Sequence, residues 1–326
     1  MEDDIKRMLT RGLTSSQRYI PSWYNYDETG SKLHHIFATE NTNYYFTSSQ
    51  VSALQENIQA IIPRVPYDVT LVDLGSGNCS KTRYVIDELL KSQKHLSFYP
   101  VDVSEDFLMA SVKDLTKEYG DSLDVKPIAE DYVKAIEELR MMEGPKIILW
   151  FGSIVNLTYA EQVNILSKIS TIMSDRCRLV FSADITQDKE TVIKAYNDDQ
   201  GIARTFIQNA VVRLNKETGS KIDLKKFTYE VDFVCNKEPH LLSYIQVYMQ
   251  AQENIQYLIP GLGIDLVMEK GERLYFHEGD GYSYKYTLEQ LLHIVEKAGL
   301  RLKDNWSDDQ KHAVFCLCTS SNADVQ

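Results

Sequence analysis

What this chain lacks narrows its chemistry before any motif is read. Its 326 residues hold five cysteines, Cys79, Cys177, Cys235, Cys316 and Cys318. That is an odd number without framework spacing, which excludes a disulfide-stapled secreted scaffold. No hydrophobic signal segment opens the sequence, so a cytoplasmic protein is expected. Positive charge is scarce: 35 Lys and Arg stand against 47 Asp and Glu, a formal net charge of -12. Nucleic acid and anionic membrane surfaces, which reward a basic face, are therefore not expected partners. Metal-ligand spacing is also missing. Cys316 and Cys318 in A-V-F-C-L-C-T share one strand face with no Cys or His cluster near them, and read as core thiols. His34 and His35 are adjacent in a helix and cannot share one face, so they read as a solvated pair. Internal repeats, flexible linkers and low-complexity tracts are absent too. What remains is a monomer with a sizeable core, as 43% hydrophobic residues allow, in one large domain or two intimate ones.

The most informative stretch present is Thr70 to Arg83, T-L-V-D-L-G-S-G-N-C-S-K-T-R. An apolar run ends abruptly at Gly75 and Gly77, and a helical pattern follows, which predicts a buried parallel strand, a glycine turn and a helix. Glycines leave φ free and put no Cβ in a ligand's way, although a bare G-x-G also describes an ordinary turn. A second strand-like run, Leu96 to Val103, carries Asp102 about 25 residues beyond the glycines, where an acidic residue accepts from a ribose diol. The third glycine of a phosphate-binding loop is missing, with Asn78, Cys79 and Ser80 in its place, and Asp73 discourages a phosphate. The pattern suits S-adenosylmethionine, a nucleoside without phosphates, better than NAD. A third strand expected at Asp124 to Ala129 ends in Glu130, Asp131 and Tyr132, a carboxylate for an exocyclic amine and a ring to flank adenine.

Alternation continues with strands expected at Ile147 to Phe151 and Leu179 to Ala183, a helix from Tyr159 to Met173 between them, and a closing strand from Ala313 to Cys318. An α/β, doubly wound sheet is expected. Its strand ends gather Gly75, Asp102, Asp131, Ser153, Asn156 and Asp184 toward one pocket, with helix or turn capping as the alternative role for Asn156 and Asp184. Two regions break the alternation. The amino-terminal part is irregular and aromatic, with Tyr19, Trp23, Tyr24, Tyr26, Tyr44, Tyr45 and Phe46 lining a pocket or forming a satellite core. After a helical pattern over Thr191 to Ala210, residues Phe227 to Val234 and His240 to Gln250 alternate as antiparallel strands, and Ile264 to Met268 and Arg273 to His277 extend the meander. Tyr282 to Tyr286 is expected to return the chain to the first fold and lead a helix that Gly299 ends.

N-Y-Y-F-T around Tyr44, D-L-G-S-G-N-C-S-K-T-R, Y-P-V-D-V-S, F-G-S-I-V-N-L-T, K-A-Y-N-D-D-Q-G-I-A-R-T-F, N-A-V-V-R-L-N and Y-S-Y-K-Y together resemble the S-adenosylmethionine-dependent amino-acid Nα-methyltransferases. That family includes the histidine enzyme of ergothioneine biosynthesis and fungal enzymes acting on tryptophan or dimethylallyltryptophan. The resemblance runs from about Thr10 to Cys318. It implies a Rossmann-like methyltransferase domain, 60–196 plus 282–320, and a smaller α+β substrate-binding domain, 1–59 plus 197–281. It further implies that Gly75, Gly77, Lys81, Asp102, Asp131, Tyr132 and Ser153 hold the cofactor, whose product is S-adenosylhomocysteine. Asn156 and Tyr196 match the pair that grips the substrate carboxylate, Tyr44 sits beside the amine, and Tyr26, Phe206 and Ser283 face the side chain, with Gln246 on the neighbouring wall. One departure is Gly281, where the histidine enzymes carry an acidic residue that bonds the imidazole. A glycine there points to a roomier pocket for a tryptophan-type ring, with the histidine reaction as the alternative. The implied chemistry is in-line displacement by a neutral amine, which needs alignment more than a metal or a covalent nucleophile. Tyr44 or water would relay the proton. An NAD-dependent dehydrogenase fits the incomplete glycine motif poorly, and a silent nucleoside-binding protein would need neither Asn156 nor Tyr196.

Overall fold

The computed structural model describes residues 3–321, so residues 1 and 2 of the first expected segment lie outside it. The chain divides into two compact units, each assembled from three stretches. One comprises residues up to 47, 187–236 and 243–284; the other comprises 48–186, 237–242 and 285 onward.

The second of these is built on a seven-stranded sheet. Its strands are β1 (Thr70–Leu74), β2 (Leu96–Val101), β3 (Leu123–Val125), β4 (Lys146–Phe151), β5 (Arg178–Asp184), β6 (Leu300–Ser307) and β7 (Ala313–Ser320). They lie in the order β6-β7-β5-β4-β1-β2-β3, with β1 to β5 mutually parallel and β7 antiparallel to both of its neighbours. Every residue of β4 and of β7 is buried, which is why both read as unbroken apolar runs rather than as alternation. Helices Thr82–Leu89, Glu105–Tyr119, Tyr132–Leu139, Tyr159–Thr171 and Leu288–Lys297 connect the strands. Their starts are locally encoded. Thr158 and Glu161 form a reciprocal capping box, and Asp131 accepts from the Val133 and Lys134 amides.

Three expectations are corrected here. The third strand stops at Val125, because Pro127 has no N–H to offer a ladder and Ile128 makes only an isolated bridge to Val101. The aromatic stretch at Tyr45 is not irregular but starts a helix, Tyr45–Ile61, whose Ala53, Leu54 and Ile61 join Leu71, Val85 and Ile86 in the core of this unit. Residues 48–59 thus fall with the sheet, not with the amino-terminal segment. Strand β6 was not anticipated, since as an edge it is half exposed and mostly polar.

The other unit is antiparallel in character. Strand Ser243–Ala251 pairs with Phe227–Val234, Arg273–Tyr275 and Tyr282–Lys285, and Arg18–Tyr19 adds in parallel to Leu274–Tyr275. Strands Ile255–Ile259 and Ile264–Met268 form a separate hairpin instead of extending the meander. Tyr282–Lys285 belongs to this sheet, not to the returning fold. The expected helix over Thr191 to Ala210 is two, Lys189–Tyr196 and Ile202–Thr218. Between them Gly201 adopts φ 71° and the Asp198 carboxylate accepts from the Ile202 and Ala203 amides, so N-D-D-Q-G stops one helix and caps the next. Among the described residues no helix is long and apolar enough to cross a membrane.

Candidate functional site

In the sheet unit, the candidate residues collect at the carboxyl end of β1. Gly75 and Gly77 hold φ values of 74° and 54°, which side chains resist, and the Gly75 and Ser76 amides both donate to the Val101 carbonyl. A Cβ on Gly75 would lie 2.9 Å from Ser153 Oγ and 3.0 Å from the Tyr132 hydroxyl, so the glycine is required by close approach as well as by φ. The Asp102 carboxylate accepts from the Gly77 amide at 3.0 Å and from the Ser104 amide at 3.0 Å, tying the turn to the end of β2. Ser111 completes the tether by donating to the Gly77 carbonyl at 3.1 Å.

Beneath the turn lies Asp73, 2% exposed. One of its carboxylate oxygens accepts from the Thr82 hydroxyl, and Oδ1 is buried without a partner. Burial raises its pKa to about 6, against the pull of Thr82 and Lys81, while Asp102 adds to the rise. Lys81, one residue before the helix, is pulled down by burial and held up by Asp73. Tyr132 opens its helix beside Ser153 and packs edge-on to Trp150 at 5.7 Å, with its phenol pushed up by burial. This set fits S-adenosylmethionine. An unpartnered buried acceptor at Asp73 calls for an N–H donor, and the bare backbone between Gly75 and Gly77 admits a ligand without a cradle for phosphate.

One candidate at this end is already partly engaged, and one expectation changes. Asp131 uses Oδ1 to cap its own helix. Asp184 neither lines the site nor caps a helix. It forms an ion pair with Lys285 at 2.9 Å, each side chain 1% exposed, and the helix at Lys189 is capped by Asp188 instead. Asn156 ends a short 3-10 turn after β4 and is exposed.

In the other unit the candidates form a continuous chain of rings. Tyr26 meets Phe206 at 5.4 Å and His34 at 5.3 Å, and Phe206 stacks on Phe37 at 5.8 Å. Phe37 meets Tyr44 at 4.3 Å and Tyr196 at 5.7 Å, and Tyr44 stands edge-on to Tyr196 at 5.8 Å. Tyr196 in turn meets Tyr282 at 6.2 Å, and its hydroxyl is 2.6 Å from Ser283 Oγ. Tyr26 retains 46% of its surface while its pKa is raised to about 12 by burial.

Five sequence candidates, Tyr26, Tyr44, Tyr196, Phe206 and Ser283, therefore come together. Gln246 instead donates to the Asp280 carbonyl at 2.6 Å and holds that loop. Gly281 does not open the pocket. A Cβ there would lie 2.2 Å from the Tyr244 ring and 2.6 Å from the Ile245 carbonyl, so the glycine serves strand packing. His34 is no member of a solvated pair, because it packs among Tyr26, Phe37 and Phe206 while His35 is exposed. The signal for it was available, since His34 and Phe37 are three apart and share a helix face. Tyr282 and Tyr229 were missed. Tyr229 donates its hydroxyl to the Tyr196 carbonyl at 2.8 Å and so holds that residue in place.

Comparison with known proteins follows this geometry. A family model described as histidine-specific methyltransferase, SAM-dependent, matches residues 5–320. A histidine N-alpha-methyltransferase of Mycolicibacterium smegmatis is 25% identical over 305 residues, 93% of this chain and 91% of that protein. The N-methyltransferase dtpB of Aspergillus flavus is 23% identical, covering 97% of this chain and 88% of its own. A 4-dimethylallyltryptophan N-methyltransferase, easF, of Epichloe festucae var. lolii is also 23% identical, covering 96% and 94%.

Proposed function

Because the chain belongs to the S-adenosylmethionine-dependent, histidine-specific methyltransferase family, we propose that it methylates the α-amino group of an aromatic amino acid, with tryptophan or a tryptophan derivative preferred. The observation that carries the substrate half is the ring cluster of Tyr26, His34, Phe37 and Phe206, linked at 5.3 to 6.2 Å. Flat apolar walls reward a large aromatic side chain. The carboxylate beside this cluster, Asp27, is already engaged by the Gly30 amide and Asn209. Histidine is the second reading, favoured by the relative that carries that activity across 93% of this chain.

When bound, S-adenosylmethionine supplies a methyl group already activated by its sulfonium. Gly75, Gly77, Lys81, Asp102, Asp131, Tyr132 and Ser153 would hold it, Asp73 offering its unpartnered oxygen to an N–H donor. What this chain must then supply is position. Asn156 and Tyr196 are assigned to the substrate carboxylate, Tyr44 to the amine, and Tyr26, Phe206 and Ser283 to the side chain. Burial keeps the phenols of Tyr26 and Tyr282 protonated far above neutrality, so neither takes up the ammonium proton at physiological pH.

Direct competition tests this reading. Tryptophan, 4-dimethylallyltryptophan and histidine, mixed with cofactor and enzyme, should yield methylated indole amino acids first by mass spectrometry. Faster conversion of histidine establishes the second reading, and conversion of none ends the amino-acid reading.

A further inference from the structure

Tyr282 has a buried phenol oxygen with no partner. An unsatisfied buried hydroxyl is costly, and natural sites keep one where a ligand or an ordered water completes it. Its surroundings favour the ligand. Its ring lies 6.2 Å from that of Tyr196, the residue assigned to the carboxylate, and 5.9 Å from that of His277.

The backbone adds an independent sign. Ser283 sits at φ 49°, a left-handed conformation a serine rarely adopts, inside a strand. Strand alternation sends successive side chains to opposite faces. Yet both Tyr282 and Ser283 approach Tyr196, the first ring to ring at 6.2 Å and the second hydroxyl to hydroxyl at 2.6 Å. The left-handed residue breaks the alternation that would have separated them. Strain of this kind persists where a site needs it.

We propose that the Tyr282 hydroxyl is a substrate-binding group that donates a hydrogen bond to the α-carboxylate, beside the Tyr196 and Ser283 hydroxyls. The inference rests on the amino-acid reading above. A phenol that stays protonated is a permanent donor, and a carboxylate accepts without competing for the proton. Tyr282 is not offered as an acid or a base.

Tyr282→Phe removes one oxygen and keeps the ring against Tyr196 and His277. Protein loaded with S-adenosylhomocysteine is titrated calorimetrically with tryptophan, histidine, tryptamine and histamine. Affinity for the amino acids that bind the wild type should fall about tenfold to hundredfold, while the two amines bind variant and wild type alike. S-adenosylhomocysteine affinity should be unchanged, and the ligand-free melting temperature should hold or rise, because an orphan hydroxyl has been removed. Unchanged amino-acid affinity would mean the hydroxyl meets only an ordered water and overturns the proposal. Equal losses for amino acid and amine overturn it as well, placing the hydroxyl at another part of the ligand. A lowered melting temperature with weakened cofactor binding would assign the hydroxyl a structural role instead. A wild type that binds neither amino acid overturns the functional reading itself, which a matching pair of wild type and variant affinities does not.

Discussion

The candidate sites of the two compact units are built by different physics. In the sheet unit the candidate site is made of main chain. Two glycines, the Val101 carbonyl and a carboxylate that grips two amides shape a turn within about thirty residues of sequence. In the other unit the site is made of rings, drawn from Tyr26 through Tyr282 across three separate stretches. Backbone recognition tolerates little variation and gives a motif. Ring recognition tolerates exchange of one aromatic for another, and leaves a composition rather than a motif.

The comparison breaks most visibly at Phe37, which touches Tyr44, Tyr196, His34 and Phe206 and is 4% exposed. Phe37→Ala should cost about 3–5 kcal/mol of stability, the range for deleting a buried aromatic. Urea unfolding measures it, and a loss below about 1 kcal/mol would show that the ring chain is not a packed unit.

Acid and base sharpen the contrast, since each unit buries a group whose pKa burial shifts, and the two act on stability with opposite sign. His277, 1% exposed between Tyr275 and Tyr282, is pulled down to about 4 by burial. Its unfolded form takes up a proton below about 6.5, whereas the folded form does not until about 4. The stability it contributes is therefore complete above pH 6.5 and lost as pH falls toward 4, about 3 kcal/mol in all. Asp73 runs the other way. Raised to about 6, it remains protonated when folded while the unfolded carboxyl, at 3.8, ionises, so stability drops by about 3 kcal/mol as pH climbs from 3.8 to 6. His277→Phe should leave a stability curve that declines with pH over this window, and Asp73→Asn one that rises. Melting temperatures between pH 4 and 7 decide it; identical slopes in both variants would refute the assignment.

The smallest effect expected is on ligand affinity. Asp102→Ala should weaken S-adenosylhomocysteine binding by about 1–3 kcal/mol, the scale for losing a charged acceptor. Part of that loss would come through the freed Gly77 amide. A folded variant with wild-type affinity would remove Asp102 from the cofactor site.

The difference between the units also explains what could be read in advance. Strand, glycine turn and Asp102 were legible because their pattern is local, and the parallel strands because burial on both faces leaves continuous apolar runs. Tyr26 and Tyr44 were visible only as members of an aromatic stretch, and their grouping with Phe206 was reachable only through family resemblance, since nothing in their spacing brings the three together. Gly281 was misread because a missing side chain looks like space in a sequence, whereas here the Tyr244 ring and a carbonyl fill it. Tyr282 was overlooked because its segment was expected to return the chain to the sheet fold, and nothing in the sequence announces the left-handed φ of Ser283 that brings Tyr282 and Ser283 together at Tyr196.

The parallel pairing of Arg18–Tyr19 with Leu274–Tyr275 has a consequence for how the protein is born. A ribosome adds roughly 5–20 residues per second, so some ten to fifty seconds separate the emergence of one partner from that of the other. Throughout that time Tyr19 lacks the strand it will pair with, and for most of it Tyr24 and Phe37 also lack Arg213, Tyr196 and Phe206. Newly made chains of this protein should depend on holding chaperones at their leading end, and a stall between residues 200 and 270 should leave a sticky nascent chain whose sheet unit is itself incomplete.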